Sequence, residues 1–141
     1  MEYVCLTEYS GELERLQRLY KEAVGEDAPA EGELDRLARA VREGRILFYG
    51  CRDGERLVAC CSVCVTFSTF NYLPGGVFED FYILPEYRGL GIARRLARFA
   101  YEKSGVSSLT VGCADCDAGM YNAIGFSVRL GSLLAYGGEK G

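Results

Sequence analysis

"EYRGLGIARR" spans residues 86–95 and sets two glycines, Gly89 and Gly91, directly before a run with helical spacing. Ile92, Ala93, Leu96, Ala97, Phe99 and Ala100 supply the apolar side of that run, and Arg94, Arg95, Arg98 and Lys103 the other. A helix N-terminus offers unpaired backbone N–H groups and the positive end of the helix dipole, so it attracts an anion. Glycine lets that backbone come close, because no side chain stands in the way. Arg88 adds a charge suited to phosphate. The stretch therefore reads as a loop that cradles phosphate, and its neighbours must say whose.

Upstream, "VFEDFYIL" (77–84) reads as a strand that Pro85 stops. "RILFYGCR" and "RLVACCSVCVTFSTF" flank Asp53-Gly54, a hairpin signal. At the N-terminus, "EYVCLT" (2–7) reads as a first strand. Ser10 caps a helix carrying Leu13, Leu16, Leu19, Tyr20 and Ala23 at helical spacing. Pro29 suits the first turn of a second helix with Leu34, Leu37, Ala38 and Val41 on its apolar face, and Gly44 ends it. Downstream, "VSSLTVGC" reads as a strand and "DAGMYNAI" as a short helix closed by Gly125. "FSVRL" and "SLLAYG" read as a terminal pair of strands. The order β-α-α-β-β-β-α-β-α-β-β implies a mixed α/β fold: a mixed, mostly antiparallel sheet flanked by helices. At 141 residues, with no linker or repeat, the expectation is one domain over 1–141.

Composition removes several classes. The net charge of −4 and the absence of a basic block argue against nucleic-acid binding. No apolar run approaches the ~20 residues of a membrane span, and no basic-then-apolar start suggests a signal peptide. A cytoplasmic protein with no membrane partner is the expectation. The sequence has no histidine, which excludes histidine bases, triads and metal sites. Acid–base chemistry falls to carboxylates, tyrosine, cysteine, lysine or ordered water.

Seven cysteines are many for this length, but their odd number and irregular spacing are unlike a disulfide framework. Cys61/Cys64 and Cys113/Cys116 read C-x-x-C, so a zinc module has to be weighed. Residues three apart on a strand point to opposite faces, which disfavours the first pair as ligands. Cys60, Cys61 and Cys64 read better as small buried hydrophobes, and no metal is expected. Cys113 and Cys116, in the loop-like "GCADCDAG", stay open.

Three familiar phosphate loops can be tested on 86–95. A Walker A loop needs G-x-x-x-x-G-K-[ST], which is absent. A dinucleotide fingerprint needs G-x-G-x-x-G, and position 94 is arginine. R-x-x-G-x-A, after a strand and a proline, resembles the coenzyme A pyrophosphate loop of the GNAT superfamily of N-acetyltransferases. "FEDFYILPEYRGLGIARRLARFA" (78–100) is similar to that superfamily's core strand, loop and helix, and "MYNAIGF" (120–126) to its second signature. Position 93 is alanine in the last small place of the loop. Position 114 is alanine where the family often has asparagine.

The resemblance implies a GNAT fold with about seven strands and four helices, and acetyl-CoA as co-substrate. Phe81 to Ile83 would pair with the pantetheine arm, and the amides of Gly89, Gly91, Ala93 and Arg94, with Arg88, would hold the pyrophosphate. A backbone N–H near Ile83 would polarise the thioester carbonyl. Tyr121 takes the family's place for the acid that protonates the leaving thiolate; packing alone is the other reading. Glu79 and Asp80 are candidates for the base, with water a third. As strand neighbours they should point to opposite faces, leaving one in the cleft. Glu79 is preferred as base, and Asp80 and Asp115 are assigned to the acceptor, with Asp117 adding charge at the mouth.

"EDF" before "YRG" also resembles the polyamine and diamine members, which points to a small cationic amine; a peptide amino group stays open. A non-catalytic acyl-CoA-binding sensor and a variant acetylated first on Cys113 or Cys116 are the competing readings. Chain length leaves a homodimer open.

Overall fold

The computed structural model describes residues 1–138; residues 139–141, the end of the expected single domain, lie outside the described residues. The chain runs β1 (Glu2–Leu6), α1 (Gly11–Ala23), α2 (Glu31–Arg42), β2 (Ile46–Asp53), β3 (Arg56–Ser68) and β4 (Leu73–Ile83), then α3 (Ile92–Ser104), β5 (Leu109–Thr110) and α4 (Ala118–Ala123). The strands form one sheet in the order β1-β2-β3-β4-β5. Neighbours are antiparallel through β4, and β4 and β5 are parallel, joined by the α3 crossover.

Local chemistry sets the helix ends. Ser10 Oγ accepts from the Leu13 N–H at 3.2 Å, capping α1. At α2 the Glu33 carboxylate accepts from the Ala30 N–H at 2.8 Å, so Ala30 takes the cap position. Pro29 consequently precedes α2 and does not open it. Gly105, at φ +70°, closes α3.

β3 is buried without a break from Leu57 to Val63, which requires cover on both faces. α1 lies against β3 and β4, and α3 against β1, β2 and β3. Phe99 of α3 meets Tyr3 and Tyr49, each with ring centroids 6.0 Å apart. Cys60 and Cys61 are fully buried in this core, Cys64 is half-buried, and Cys113 and Cys116 are exposed.

Two expectations change. The strand expected over "VSSLTVGC" shortens to Leu109–Thr110, which pairs only with Gly76 and Val77. The terminal strands "FSVRL" and "SLLAYG" do not form among the described residues, so the sheet has five strands where about seven were expected. An apolar pattern becomes a strand only where a ladder is offered, and β5 offers an edge two residues long. Val128, Leu130, Leu133, Leu134 and Tyr136 are left exposed.

Candidate active site

β4 outruns β5. Beyond Val77 it has no partner on that side among the described residues, so the two strands part. Leu84 N–H donates to Val58 O on β3 at 2.9 Å. Strand alternation then turns the Ile83 and Phe81 backbone groups to the unpaired edge. Ile83 O is met there by Arg88 Nε, which donates to it at 2.9 Å.

Past Pro85–Tyr87, a single 3₁₀ turn, the chain enters the glycine loop. Gly89 and Gly91 hold φ +78° and +83°, the left-handed region that glycine reaches without strain. A Cβ at Gly89 would meet nothing within 4 Å, so this side of the turn is bare. The first backbone bond of α3 is Arg95 N–H to Gly91 O. No protein acceptor is recorded for the backbone N–H groups of residues 89–94 among the described residues, and no side chain caps the helix. Six open donors at a helix N-terminus fit the pyrophosphate of coenzyme A.

Both arginine side chains make contacts within the chain. Arg88 turns back over Tyr82, with its guanidinium carbon 5.5 Å from the ring centroid. The Arg94 guanidinium donates to Ala123 O at the end of α4.

α4 is held against β4 by aromatic rings. Tyr121 lies 6.5 Å from Phe81 and 6.0 Å from Phe126 between centroids, and Phe78 meets both phenylalanines. Phe126 N–H closes the turn on Tyr121 O at 3.0 Å. Burial raises the Tyr121 phenol above its ordinary value, and the charges of Cys113 and Asp117 push the same way. It therefore holds its proton at neutral pH.

The two carboxylates of β4 depart from the expected alternation. Ser62 pairs with Glu79 and Cys60 with Tyr82, so two residues, Asp80 and Phe81, stand opposite Cys61. This is a β-bulge, with Asp80 at φ +52°. Opposite residues in an antiparallel pair share a face, so Ser62 and Glu79 do. Ser62 Oγ donates to Asp80 Oδ2 at 2.6 Å, which brings Asp80 to that face as well. Glu79 and Asp80 therefore lie on one face of the sheet, because the bulge cancels the alternation. Partial burial and then the Asp80 charge raise the Glu79 carboxyl, against a lowering by Lys21.

Several residues here were not assigned to the site from sequence. Tyr20 of α1 is pushed up to about 12 by burial, then by Asp80, Tyr121, Glu26 and Glu79. Cys64 is pushed up to about 11 by burial, then by Glu79 and Asp80. Gln17 Nε2 donates to Asp80 Oδ1 at 3.3 Å. Leu13, Leu16, Gln17 and Tyr20 follow an i, i+3, i+4, i+7 stripe, so a glutamine on an apolar face was the available signal. Asp115, in contrast, is exposed in the turn before α4 and joins none of these contacts.

Among the described residues no group of three or more His, Cys, Asp or Glu side chains is set to hold a metal ion. No described helix is long and apolar enough to cross a membrane.

The family model for an acetyltransferase (GNAT) domain matches residues 44–128, from the start of β2 to beyond α4. None of the curated proteins matches the chain. Solved structures share its fold at low identity. A probable acetyltransferase is 20% identical with a TM-score of 0.77, covering 96% of this chain and 99% of that one. An aminoglycoside acetyltransferase from an uncultured soil metagenomic sample, in complex with trehalose, is 12% identical with a TM-score of 0.76, covering 99% and 96%. A predicted acetyltransferase from Clostridium acetobutylicum, with acetyl-CoA, is 12% identical with a TM-score of 0.72, covering 96% and 95%. The match from β2 through α4, on a strand that parts from its neighbour beside open amides, makes this chain a member of the GNAT family of acetyltransferases, whose chemistry is transfer of an acetyl group from acetyl-CoA.

Proposed function

We propose that this chain, acting as one domain, moves an acetyl group from acetyl-CoA to the primary amine of a small cationic acceptor. One observation carries the reading. The β4 bulge sets Glu79 and Asp80 on one face, with Asp80 held by Ser62 and Gln17, while the Tyr121 ring packs on Phe81 of the same strand, so two carboxylates and a phenol stand beside the unpaired β4 edge.

In this reading acetyl-CoA supplies an activated thioester. The open amides of residues 89–94 bind its pyrophosphate, and the Phe81 and Ile83 backbone aligns its arm. A donor on this edge near Ile83 stabilises the oxyanion. Glu79 takes the proton of the incoming ammonium; burial and the Asp80 charge raise its carboxyl, which makes it a stronger base than a free carboxylate. Asp80 holds the ammonium beside it. Tyr121 returns a proton to the leaving thiolate. Neither Cys113 nor Cys116 is needed for direct attack.

The acceptor class rests on charge and on one neighbour. A depression of about 480 Å³ at the α1–α2 loop is lined by Lys21 and Glu26, paired at 3.3 Å, and by Asp27 and Glu33, which leave it acidic. Such lining favours a cation over an anion. A solved aminoglycoside acetyltransferase of the same fold has been captured with sisomicin.

The test is an acceptor screen with thiol detection, using polyamines, aminoglycosides, amino acids and peptides. Release of coenzyme A with at least one cationic amine is expected. Binding of acetyl-CoA with no release for any amine would leave a sensor, and no binding at all would end the reading.

A further inference from the structure

The face of β3 and β4 under α1 carries two buried polar side chains with a common partner. Ser62 is fully buried and Gln17 is 7% exposed. A buried polar group is costly unless it is hydrogen-bonded. Both meet that need on one carboxylate: Ser62 Oγ donates to Asp80 Oδ2 at 2.6 Å, and Gln17 Nε2 to Asp80 Oδ1 at 3.3 Å. The two donors come from different elements, β3 and α1, and take one oxygen each, so the carboxylate has no free rotation.

Asp80 is itself unusual. It holds φ +52° inside a strand, at the bulge. Such a conformation persists where its surroundings over-determine it. A second feature argues against a purely structural triad. Gln17 Oε1 is buried with no partner, so the amide is satisfied only on the side that grips Asp80. An N–H donor from outside the chain is what that oxygen lacks.

We propose that Gln17 and Ser62 are positioning residues for the acceptor amine. They aim the Asp80 carboxylate into the cleft beside Glu79, and the Gln17 carbonyl is left for an ammonium N–H. The chemical class selected is a primary ammonium; a neutral hydroxyl acceptor gains a hydrogen bond from the carboxylate but no ion-pair attraction. The proposal rests on the acetyl-transfer reading above and adds how the acceptor is oriented.

The test is a kinetic double-mutant cycle with spermidine as the probe amine, varying amine and acetyl-CoA separately. Ser62→Ala and Gln17→Met are each expected to raise the amine KM about tenfold, the size of one charge-assisted hydrogen bond. The acetyl-CoA KM and kcat should change less than about twofold. Ser62→Thr, which keeps the hydroxyl, should restore the wild-type amine KM. In an Asp80→Asn background Ser62→Ala should add no further effect, and Gln17→Met should add only the loss of its own carbonyl contact, less than its effect in wild type. A fully additive effect of either substitution in that background, or a change confined to kcat or to the acetyl-CoA KM, would overturn the proposal. If wild type acetylates no amine, the acetyl-transfer reading fails by itself. The same cycle is then read by calorimetry on spermidine binding to the coenzyme A complex. Coupling there sustains the positioning role, whereas absent coupling or absent binding overturns it.

Discussion

The Arg94 guanidinium donates to the Ala123 carbonyl, tying the first turn of α3 to the last residue of α4. The open amides begin α3 and Tyr121 stands on α4. This bond therefore makes the glycine loop and the candidate acid one mechanical unit. Replacing Arg94 with alanine leaves the backbone N–H in place and frees α4. The expected result is a kcat about tenfold lower, within the cost of a misplaced catalytic group, and an acetyl-CoA KM near wild type. Steady-state kinetics decide. A raised KM with unchanged kcat would mean that the guanidinium grips phosphate.

Tyr121→Phe separates packing from proton transfer. The ring keeps its contacts with Phe81 and Phe126, so the melting temperature should hold. Loss of the hydroxyl should lower kcat by about 10² or more. Because burial raises the phenol, Tyr121 should cause no fall in wild-type rate as pH climbs toward its ordinary titration range. A Tyr121→Phe enzyme with full kcat would reduce Tyr121 to packing.

Glu79 should write itself into the pH profile. A base works deprotonated, and the Glu79 carboxyl is raised, so kcat/KM should climb with pH through a value above the usual carboxylate range. The Asp80 charge raises it and Lys21 lowers it. Asp80→Asn should therefore shift the limb to lower pH and Lys21→Ala to higher pH. Glu79→Gln should remove the limb. A limb unmoved by all three would transfer the role to water.

Gly91→Ala tests the loop by backbone alone. The nearest atom to an added Cβ is Arg95 Cζ at 4.0 Å, an ordinary contact, so space is not the obstacle. The obstacle is φ +83°, which costs an L-residue about 1–2 kcal/mol. Denaturant unfolding should show a loss of that order, and calorimetry should show weaker coenzyme A binding. Asn at 91 should lose less, since it tolerates this region better. Equal stability of the alanine variant would contradict the strain argument.

Cys113 and Cys116 are exposed in the loop that leads into α4. If transfer is direct, Cys113→Ala and Cys116→Ala should each retain kcat within about twofold, because no acetyl-thiol forms. Loss of turnover in either, with acetyl-CoA binding intact, would bring the thiol route back.

Much of the frame is legible from one end of the chain to the other. Ser10, Gly44 and Asp53-Gly54 mark boundaries by local chemistry, since a cap or a tight turn is decided by a few adjacent residues. "RGLGIA" is legible for the same reason: left-handed glycines and a helix start are local. The fate of "FSVRL" and "SLLAYG" was not legible. A strand needs a partner, and whether an edge exists is settled by residues far away. The relation between Glu79 and Asp80 misleads in the same way, because alternation assumes an unbroken ladder.

The sequence by itself determined the order of elements from β1 to α4, the glycine loop before α3 and the absence of histidine chemistry. These follow from neighbours along the chain, where spacing and side-chain type suffice. Only the tertiary structure decided that β4 bulges at Asp80, that Ser62 and Gln17 converge on its carboxylate, and that Arg94 reaches α4. Each of these joins residues 18 to 63 positions apart, and contacts at such separations are set by register and packing, to which local spacing is blind.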